Sequence, residues 1–262
     1  MRLDKVEILR LHKETPYGFW SEKEGLPCFT FWDNQKIDSW VQFEAIEAFY
    51  VIFGQNCQVQ VFETNREVQY QLLPQACVQH MGGKSAKNLQ ISLHQAATLK
   101  HFARINSGNR SEESISIRLL EPKAAVDWQE GSYLTKGERN LSIEIDHLAP
   151  QTYSNCCVKS VLEQASKLQF VGNVYVQKEA EEAVAHQRNL NHVLDPDSRV
   201  ISLPNLHVFN RKIEASHGTA TQPIPEEILF YLRSRGLSLE QARQVYFDSF
   251  LGCLPLEEVY AS

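Results

Sequence analysis

The hydrophobic pattern of this chain changes at Glu214-Ala215-Ser216-His217-Gly218-Thr219-Ala220-Thr221, where a period of two residues gives way to one of about 3.6. A period of two is typical of β-strands, whose side chains alternate between faces, and the longer period is typical of α-helices. This stretch therefore predicts the end of a β architecture and the start of a helical tail. It also holds one histidine among small residues, which makes His217 a candidate functional side chain.

The region before this stretch is rich in short runs of branched and aromatic residues, which favour strands. These runs are Phe29–Trp32, Phe49–Phe53, Val59–Phe62, Val68–Leu72, Ile91–Leu93, Ile115–Leu119, Leu141–Ile145, Val158–Leu162, Phe170–Val176 and Val200–Leu203. No repeat of fixed period connects them, so a sandwich, a barrel and a β-solenoid all remain open. The absence of Asn-Gly and Asp-Gly turns favours the solenoid. We further predict that the polar segment Gln187–His192 lies between strands and forms stacked corners.

The ends of the chain differ from its middle. The first 26 residues are charged and are predicted to form an N-terminal arm or edge element, before a β core over residues 27–222. Residues 223–262 are predicted to form a helical segment. Pro225 suits the first turn of one helix and Gly236 its end, and Ser238 with Gln241 forms a capping box for a second helix that ends at Gly252.

Composition excludes several classes of protein. The 262 residues carry a net charge of −6, which disfavours nucleic acid as a partner. No apolar run approaches the roughly 20 residues that span a bilayer, and the N-terminus does not resemble a secretory signal. We therefore expect a cytoplasmic protein without a membrane partner. Six cysteines occur without a CxxC pair, so zinc-ribbon and thioredoxin-type sites are not indicated.

The motifs of common catalytic sites are incomplete, and we expect no enzymatic activity. Gly83-Lys84-Ser85 ends like a phosphate-binding loop, but the glycine required five residues earlier is Val78. Ser216 and His217 are neighbours whose side chains diverge on an extended backbone, and no Gly-x-Ser-x-Gly elbow is present.

His217 has two interpretations on its local sequence. A neutral imidazole binds iron, zinc or copper, and the nearby carboxylate of Glu214 could ligate the same metal or orient the ring. Alternatively, His217 simply makes a hydrogen bond within a bend at Gly218. The local residues leave both readings open.

The order of several motifs resembles the SufB/SufD family of iron-sulfur cluster assembly proteins. The similar stretches are His147–Ser154 within an H-x-x-P-x-T-x-S pattern, Lys159–Leu162, Phe170–Val176, Gln187–Asn191, Leu203–Val208, Ala215–Thr221 and Leu229–Leu237. The resemblance covers roughly residues 30–252 and is strongest after residue 146. Within the family the chain is more similar to SufD-like members, since SufB-like members place acidic residues where Ser216 and Gly218 stand here.

The resemblance implies a mainly β fold, a right-handed parallel β-helix with a short C-terminal helical segment. It implies a non-catalytic scaffold that pairs with a SufB-like protein through the end of the β-helix and docks a SufC-like ATPase through the helical segment. It assigns His217 as an interface ligand of a transient iron-sulfur cluster shared with SufB. The residues predicted to contact the ATPase are Phe230, Tyr231, Leu232, Arg233, Arg235 and Gly236.

The chain departs from the family pattern in two ways. Alanine at position 215 stands where some SufD-like members have a cysteine, so it cannot ligate metal. Typical members also begin with a helical domain that we do not find here. A homodimer is left open beside the SufB pairing. The alternative function is a stand-alone β-helix enzyme or metal-binding protein that uses His217.

Overall fold

The computed structural model describes residues 6–11, 13, 15–43, 47–63, 67–82 and 87–252, which coil into two facing parallel sheets. Within these ranges each sheet has nine strands, and each coil adds one strand to each sheet. The first sheet, in spatial order, contains β1 (Val6–Leu9), β4 (Lys36–Phe43), β6 (Gln58–Glu63), β8 (Cys77–Gly82), β10 (Thr98–Ser107), β12 (Ala125–Thr135), β14 (Tyr153–Glu163), β16 (Val184–Val193) and β18 (Glu214–Gln222).

The second sheet faces the first across the core. In spatial order it contains β2 (Gly18–Lys23), β3 (Leu26–Phe31), β5 (Ala48–Phe53), β7 (Glu67–Leu72), β9 (Asn88–Leu93), β11 (Ser111–Leu119), β13 (Glu138–His147), β15 (Lys167–Val176) and β17 (Arg199–Val208). Neighbouring strands are parallel except for the antiparallel pair β2 and β3. The predicted β-helix class is therefore confirmed, and its right-handed sense stays a prediction that agrees with the usual hand of parallel crossovers.

Coil length grows along the chain, which explains why no fixed repeat is visible in the sequence. Gln58 of β6 is aligned with Cys77 of β8, 19 residues further on. Lys167 of β15 is aligned with Arg199 of β17, 32 residues further on. A search for a constant period fails because the offset between aligned residues changes from 19 in the early coils to 32 near the end of the solenoid.

One corner of the coil has the same backbone geometry in successive turns. Its residues have positive φ although none is glycine: Asn34, Asn56, Gln75, Ala96, Lys123, Gln151 and Glu182. Each donates its backbone N–H to a carbonyl oxygen of the next coil, as Gln75 does to Gln95 at 2.8 Å. The residue after the corner is small and fully buried in six successive coils: Cys57, Ala76, Ala97, Ala124, Thr152 and Ala183.

The interior changes from aromatic to polar along the solenoid. The short coils near the N-terminus are the narrow coils of the solenoid. In them Phe29, Phe31, Phe43 and Phe53 pack ring against ring, and the stacked rings of Phe31 and Phe53 have centroids 5.3 Å apart. In the wide coils the interior positions include polar side chains such as Asn189, which is fully buried and donates to the Val158 carbonyl at 3.1 Å.

The segment Gln187–His192 is not a loop, so our prediction that it lies between strands is wrong. It forms most of β16, and the side chains of Gln187, Asn189 and Asn191 point into the interior. Polar side chains at alternate positions were mistaken for a surface segment. They are buried because wide coils leave room for side chains that bond one another, as Asn191 does with Asn189 at 2.7 Å.

The N-terminal segment enters the fold as edge strands. β1 pairs in parallel with β4, and β2 forms an antiparallel hairpin with β3. The described part of this segment therefore covers the narrow end of both sheets, as expected of an edge element. The division of the chain at residues 26 and 222 stays a prediction.

The two predicted helices form, and their ends match the sequence signals. They are α1 (Glu226–Ser234), followed by Gly236 at φ 94°, and α2 (Leu239–Leu251), which begins at the Ser238 capping box. Gly252, at φ 65°, ends the second helix in the left-handed region. No helix in the described ranges is long and apolar enough to cross a membrane.

The second helix holds the tail against the outside of the first sheet. Phe247 and Leu251 pack on Val161, and Asp248 forms an ion pair with Arg104 at 2.5 Å. The Tyr246 hydroxyl donates to His192 Nε2 at 2.8 Å, because the other ring nitrogen of His192 donates to the Gln222 carbonyl. The first helix, in contrast, buries no residue.

The small residues of the corner are expected to be essential for coil stacking. Ala124→Leu places three extra carbons at a fully buried position and should lower the free energy of unfolding by about 1–3 kcal/mol. Urea unfolding measures this change. Ala125→Leu, at the next, outward-facing position of β12, is the control and should cost less. Equal losses in the two variants would contradict a packing role for the corner.

Candidate functional site

The site is the wide end of the solenoid, where β17 and β18 are the last strands of the two sheets. In the part of the chain that the structure describes, no further strand pairs with their outer edges. Apolar side chains are exposed along and beside β17: Ile201, Leu203, Val208 and Phe209. Sheet edges carry free backbone donors and acceptors, so this end can extend its sheets with strands from another chain.

His217 reaches across this open end from one sheet to the other. Its Nδ1 lies 2.7 Å from the carbonyl oxygen of Pro204 in β17. A carbonyl oxygen can only accept, so Nδ1 carries the proton, and in the neutral ring Nε2 keeps a lone pair. Among the described residues nothing is hydrogen-bonded to Nε2, and the side chain is exposed. This is the usual arrangement of a histidine whose orientation is fixed for metal binding.

Glu214 does not assist His217, so the pairing considered from the sequence is wrong. In β18 the two residues are three positions apart and point to opposite faces. The Glu214 carboxylate instead lies 3.5 Å from Nε2 of His186 on the outer face, and Ser216 Oγ is 2.8 Å from the His186 Nδ1. Ala215 packs against the core and supplies no ligand atom.

His217 is the last member of an interior row along the first sheet. Moving inward from the open end, the aligned residues are Gln187, Cys156, Trp128, His101 and His80. Gln187, directly below His217, is 1% exposed, and both polar atoms of its amide lack a hydrogen-bond partner. It fits there because Gly172 lies opposite, where a Cβ would be 1.6 Å from the Gln187 amide nitrogen.

The H-x-x-P-x-T-x-S motif has a structural role inside one corner. The ring of His147 is fully buried, with Nδ1 2.8 Å from Thr152 Oγ1 and Nε2 2.8 Å from Ser154 Oγ. Burial lowers the His147 pKa to about 4. The motif therefore closes a turn around Gln151, at φ 59°, and does not contribute a reactive group.

A buried ion network lies further inside, and the sequence analysis missed it. The Arg139 guanidinium, with no exposed surface, pairs with Glu113 at 2.6 Å and also with Glu130. Burial raises the pKa of the Glu130 carboxyl, against the opposing effect of Arg139. These residues are 9 to 26 positions apart in the sequence and lie on three strands, so the coil registers bring them together.

The residues predicted to contact an ATPase lie on and after α1. Phe230 is 76% exposed and Tyr231 56%, while Arg235 lies over the Tyr231 ring at 5.3 Å. Arg233 and Gly236 are exposed as well, and Leu232 is half-buried. The helix thus presents two aromatic rings and two cations outward.

The potential metal ligands of the described residues are dispersed over the fold. Within the described ranges no group of three or more His, Cys, Asp or Glu side chains could hold a metal ion. Cys156 is fully buried in the interior and Cys157, nearly buried, lies on the opposite face of β14, as the strand alternation predicts. Burial raises the pKa of the Cys156 thiol far above its usual range.

Acid should destabilise the chain through its buried histidines. The folded-state pKa of His147, about 4, lies below the unfolded value of about 6.5, so between these pH values the unfolded chain binds more protons. Stability therefore falls as pH falls through this window, by up to about 1.4 kcal/mol per pH unit for this group. His147→Gln should make urea unfolding less dependent on pH between 6.5 and 4 by that amount. Other buried groups are common to both chains, and equal slopes would refute this role.

Comparison with known proteins shows which family this chain is similar to. The family model described as "SUF system FeS cluster assembly, SufBD core domain" matches residues 42–250. The match begins near the end of β4 and ends in α2, so it includes the open end, His217 and both helices.

Several curated relatives are similar over the same region. An iron-sulfur cluster assembly SufBD family protein of Mycobacterium leprae is 30% identical over 179 residues, which cover 63% of this chain and 45% of that protein. A SufBD family protein of Synechocystis is 32% identical over 66% of this chain and 33% of its own length. The iron-sulfur cluster assembly protein SufB of Bacillus subtilis is 32% identical over 47% of this chain and 27% of its own length. The chain thus spans less than half the length of these relatives, and it belongs to the SufBD family of iron-sulfur cluster assembly proteins.

Proposed function

We propose that this chain is a SufD-like, non-catalytic scaffold subunit of a cytoplasmic iron-sulfur cluster assembly complex. It pairs with a SufB-like protein through its open end and docks a SufC-like ATPase through α1. A transient cluster forms at the seam with the SufB-like protein, where His217 is a ligand. The cluster is the cargo of the complex and is not held tightly by the isolated chain.

The observation that carries this proposal is the position of His217 on an unpaired sheet end. Its Nδ1 is held by the Pro204 carbonyl of β17, and its Nε2 makes no hydrogen bond to a described residue at this end, where β17 and β18 are the sheet edges. A partner that adds strands to these edges places its own side chains beside Nε2. A protein-bound cluster usually takes four protein ligands, so His217 needs ligands from the partner.

The exposed face of α1 supports the docking of a second partner. Aromatic residues and arginine are enriched at protein interfaces. Phe230, Tyr231 and Arg233 on α1 and Arg235 just after it supply both types. The anchor for this helix is α2, which packs on the solenoid. A force applied to α1 by a partner would therefore reach the coils through Tyr246 and His192.

The alternative function, a stand-alone metal-binding protein or enzyme, differs in one measurable respect. It requires the isolated chain to retain iron or zinc in stoichiometric amount and to lose it in His217→Ala. The scaffold proposal expects no such metal in the isolated chain. Metal analysis of the purified chain separates the two.

His217→Ala should reduce cluster formation in the complex reconstituted with the SufB-like and SufC-like proteins, without changing the thermal unfolding midpoint. The side chain is exposed, so its loss leaves the core intact. Iron and sulfide content and the visible absorbance of the cluster are the readouts.

His217→Gln separates a ligand from a packing residue, because a glutamine amide can still donate to Pro204 but binds iron poorly. It should be as defective as His217→Ala. His186→Ala, which removes a histidine on the outer face of the neighbouring strand, is the matched control and should assemble clusters normally. Normal assembly in both His217 variants would refute the site.

Co-purification tests the partners. The chain should form a stable complex with the SufB-like and SufC-like proteins of its own genome, whereas Phe230→Ala/Tyr231→Ala should weaken ATPase binding tenfold or more and leave SufB pairing intact. The control is Val245→Ala, an exposed apolar residue on α2 that lies outside the predicted set. A failure of folded partners to associate, or a homodimer that excludes the SufB-like protein, would overturn the proposal.

A further inference from the structure

A small cavity lies in the interior between β8, β10 and β12. It has a volume of about 20 Å³ and is lined by His80, Gly82, His101, Trp128 and Glu130, among others. The four polar side chains are each at most 4% exposed. A cavity of this size exceeds the roughly 10–15 Å³ that one water molecule needs and is too small for an organic ligand.

Two hydrogen-bonded histidines line this cavity, and a Cβ on Gly82, which also lines it, would lie 3.9 Å from His101 Nε2. His80 Nδ1 and His101 Nδ1 are 2.7 Å apart, so one nitrogen donates a proton to the other. Burial lowers the pKa of both rings far below the usual value, which keeps them neutral. The ring that donates through Nδ1 therefore has an accepting Nε2, and the other ring has an Nε2–H. Neither Nε2 has a hydrogen-bond partner.

Trp128 adds a second donor beside them. Its indole stacks on the His101 ring at a centroid distance of 3.5 Å. The indole N–H is near enough to the Glu130 carboxyl to lower its pKa, yet it makes no hydrogen bond of normal geometry. A polar contact that falls just short of a direct bond is a common place for a bridging water.

We propose that this cavity is a binding site for one buried water molecule. The water accepts from the Trp128 indole N–H, donates to the Glu130 carboxyl and makes a third hydrogen bond with His101 Nε2, in the direction set by the tautomer of that ring. Three hydrogen bonds are typical of a buried water molecule. A metal ion fits poorly, since the described residues offer no cluster of three ligands here.

The site would join two groups that otherwise do not touch. The histidine pair belongs to β8 and β10, and the ion network of Glu113, Glu130 and Arg139 spans β11, β12 and β13. Through Glu130, the water continues the polar interior from one group to the next. It thereby satisfies buried atoms that would each cost about 1–3 kcal/mol if left unpaired.

Water-selective NMR on the isolated full chain tests this directly. The resonance of the Trp128 indole N–H, which is assigned with Trp128→Phe, should show a cross-peak to water. The sign of this cross-peak should be the one that indicates a long-lived bound water molecule. Oxygen-17 relaxation dispersion then counts the long-lived waters. No water cross-peak at Trp128 in the wild-type chain would overturn the proposal.

Gly82→Ala is the matched displacement variant. A Cβ at this position would lie 3.3 Å from His101 Cε1 and 3.9 Å from His101 Nε2, within the space of the water. The variant should lose the Trp128 cross-peak and one long-lived water, while Gly218→Ala, whose Cβ meets nothing within 4 Å, should lose neither. An unchanged cross-peak in Gly82→Ala would place the water elsewhere and contradict the site. If that variant does not fold, the wild-type cross-peak alone decides.

Discussion

Backbone hydrogen bonding between successive coils is the constraint on which every other feature of this chain depends. Buried backbone groups must be paired, and here the strands between the two ends of the solenoid pair with strands of the neighbouring coils on both sides. The corner residues extend this pairing around the turn by donating to the next coil. Because the register is fixed by backbone bonds, a side chain at one position is stacked on its counterpart in each neighbouring coil. His80, His101, Trp128, Cys156, Gln187 and His217 form such a row.

Widening of the coils then determines what the interior can contain. Narrow coils are filled by phenylalanine rings, whereas wide coils would leave voids between apolar side chains. They are filled by side chains that bond to one another, including Asn189 with Asn191, Ser132 with Ser160 at 2.8 Å, and His147 with Thr152. Because the last coils are also wide, the interior directly below His217 is polar. His217 therefore lies over the buried amide of Gln187 and not over an apolar side chain.

The sequence was informative where local chemistry decides the structure. Alternating apolar runs located many strands, and Pro225, Ser238 and Gly252 located the helix ends, because these signals act over a few residues. The coil period was hidden since each coil has its own length. Polar interior strands such as β16 were misread, and Glu214 was assigned to the wrong histidine, because burial and partners depend on residues 28 or more positions away. The signal that could have revealed the coils is a small residue after each corner, as in Asn56-Cys57, Gln75-Ala76 and Lys123-Ala124.

The difference in coil length also makes the two ends of the solenoid unlike each other. At the wide end β17 and β18 offer edges of 10 and 9 residues, whereas at the narrow end the described parts of β1 and β2 contain 4 and 6 residues. A wide end stacked on the narrow end of a second copy would leave several backbone groups of each long edge unpaired. Head-to-tail contacts between identical subunits generate open fibres, and mismatched edges disfavour them. Unequal edge lengths at the two ends therefore disfavour head-to-tail stacking of identical copies of this chain.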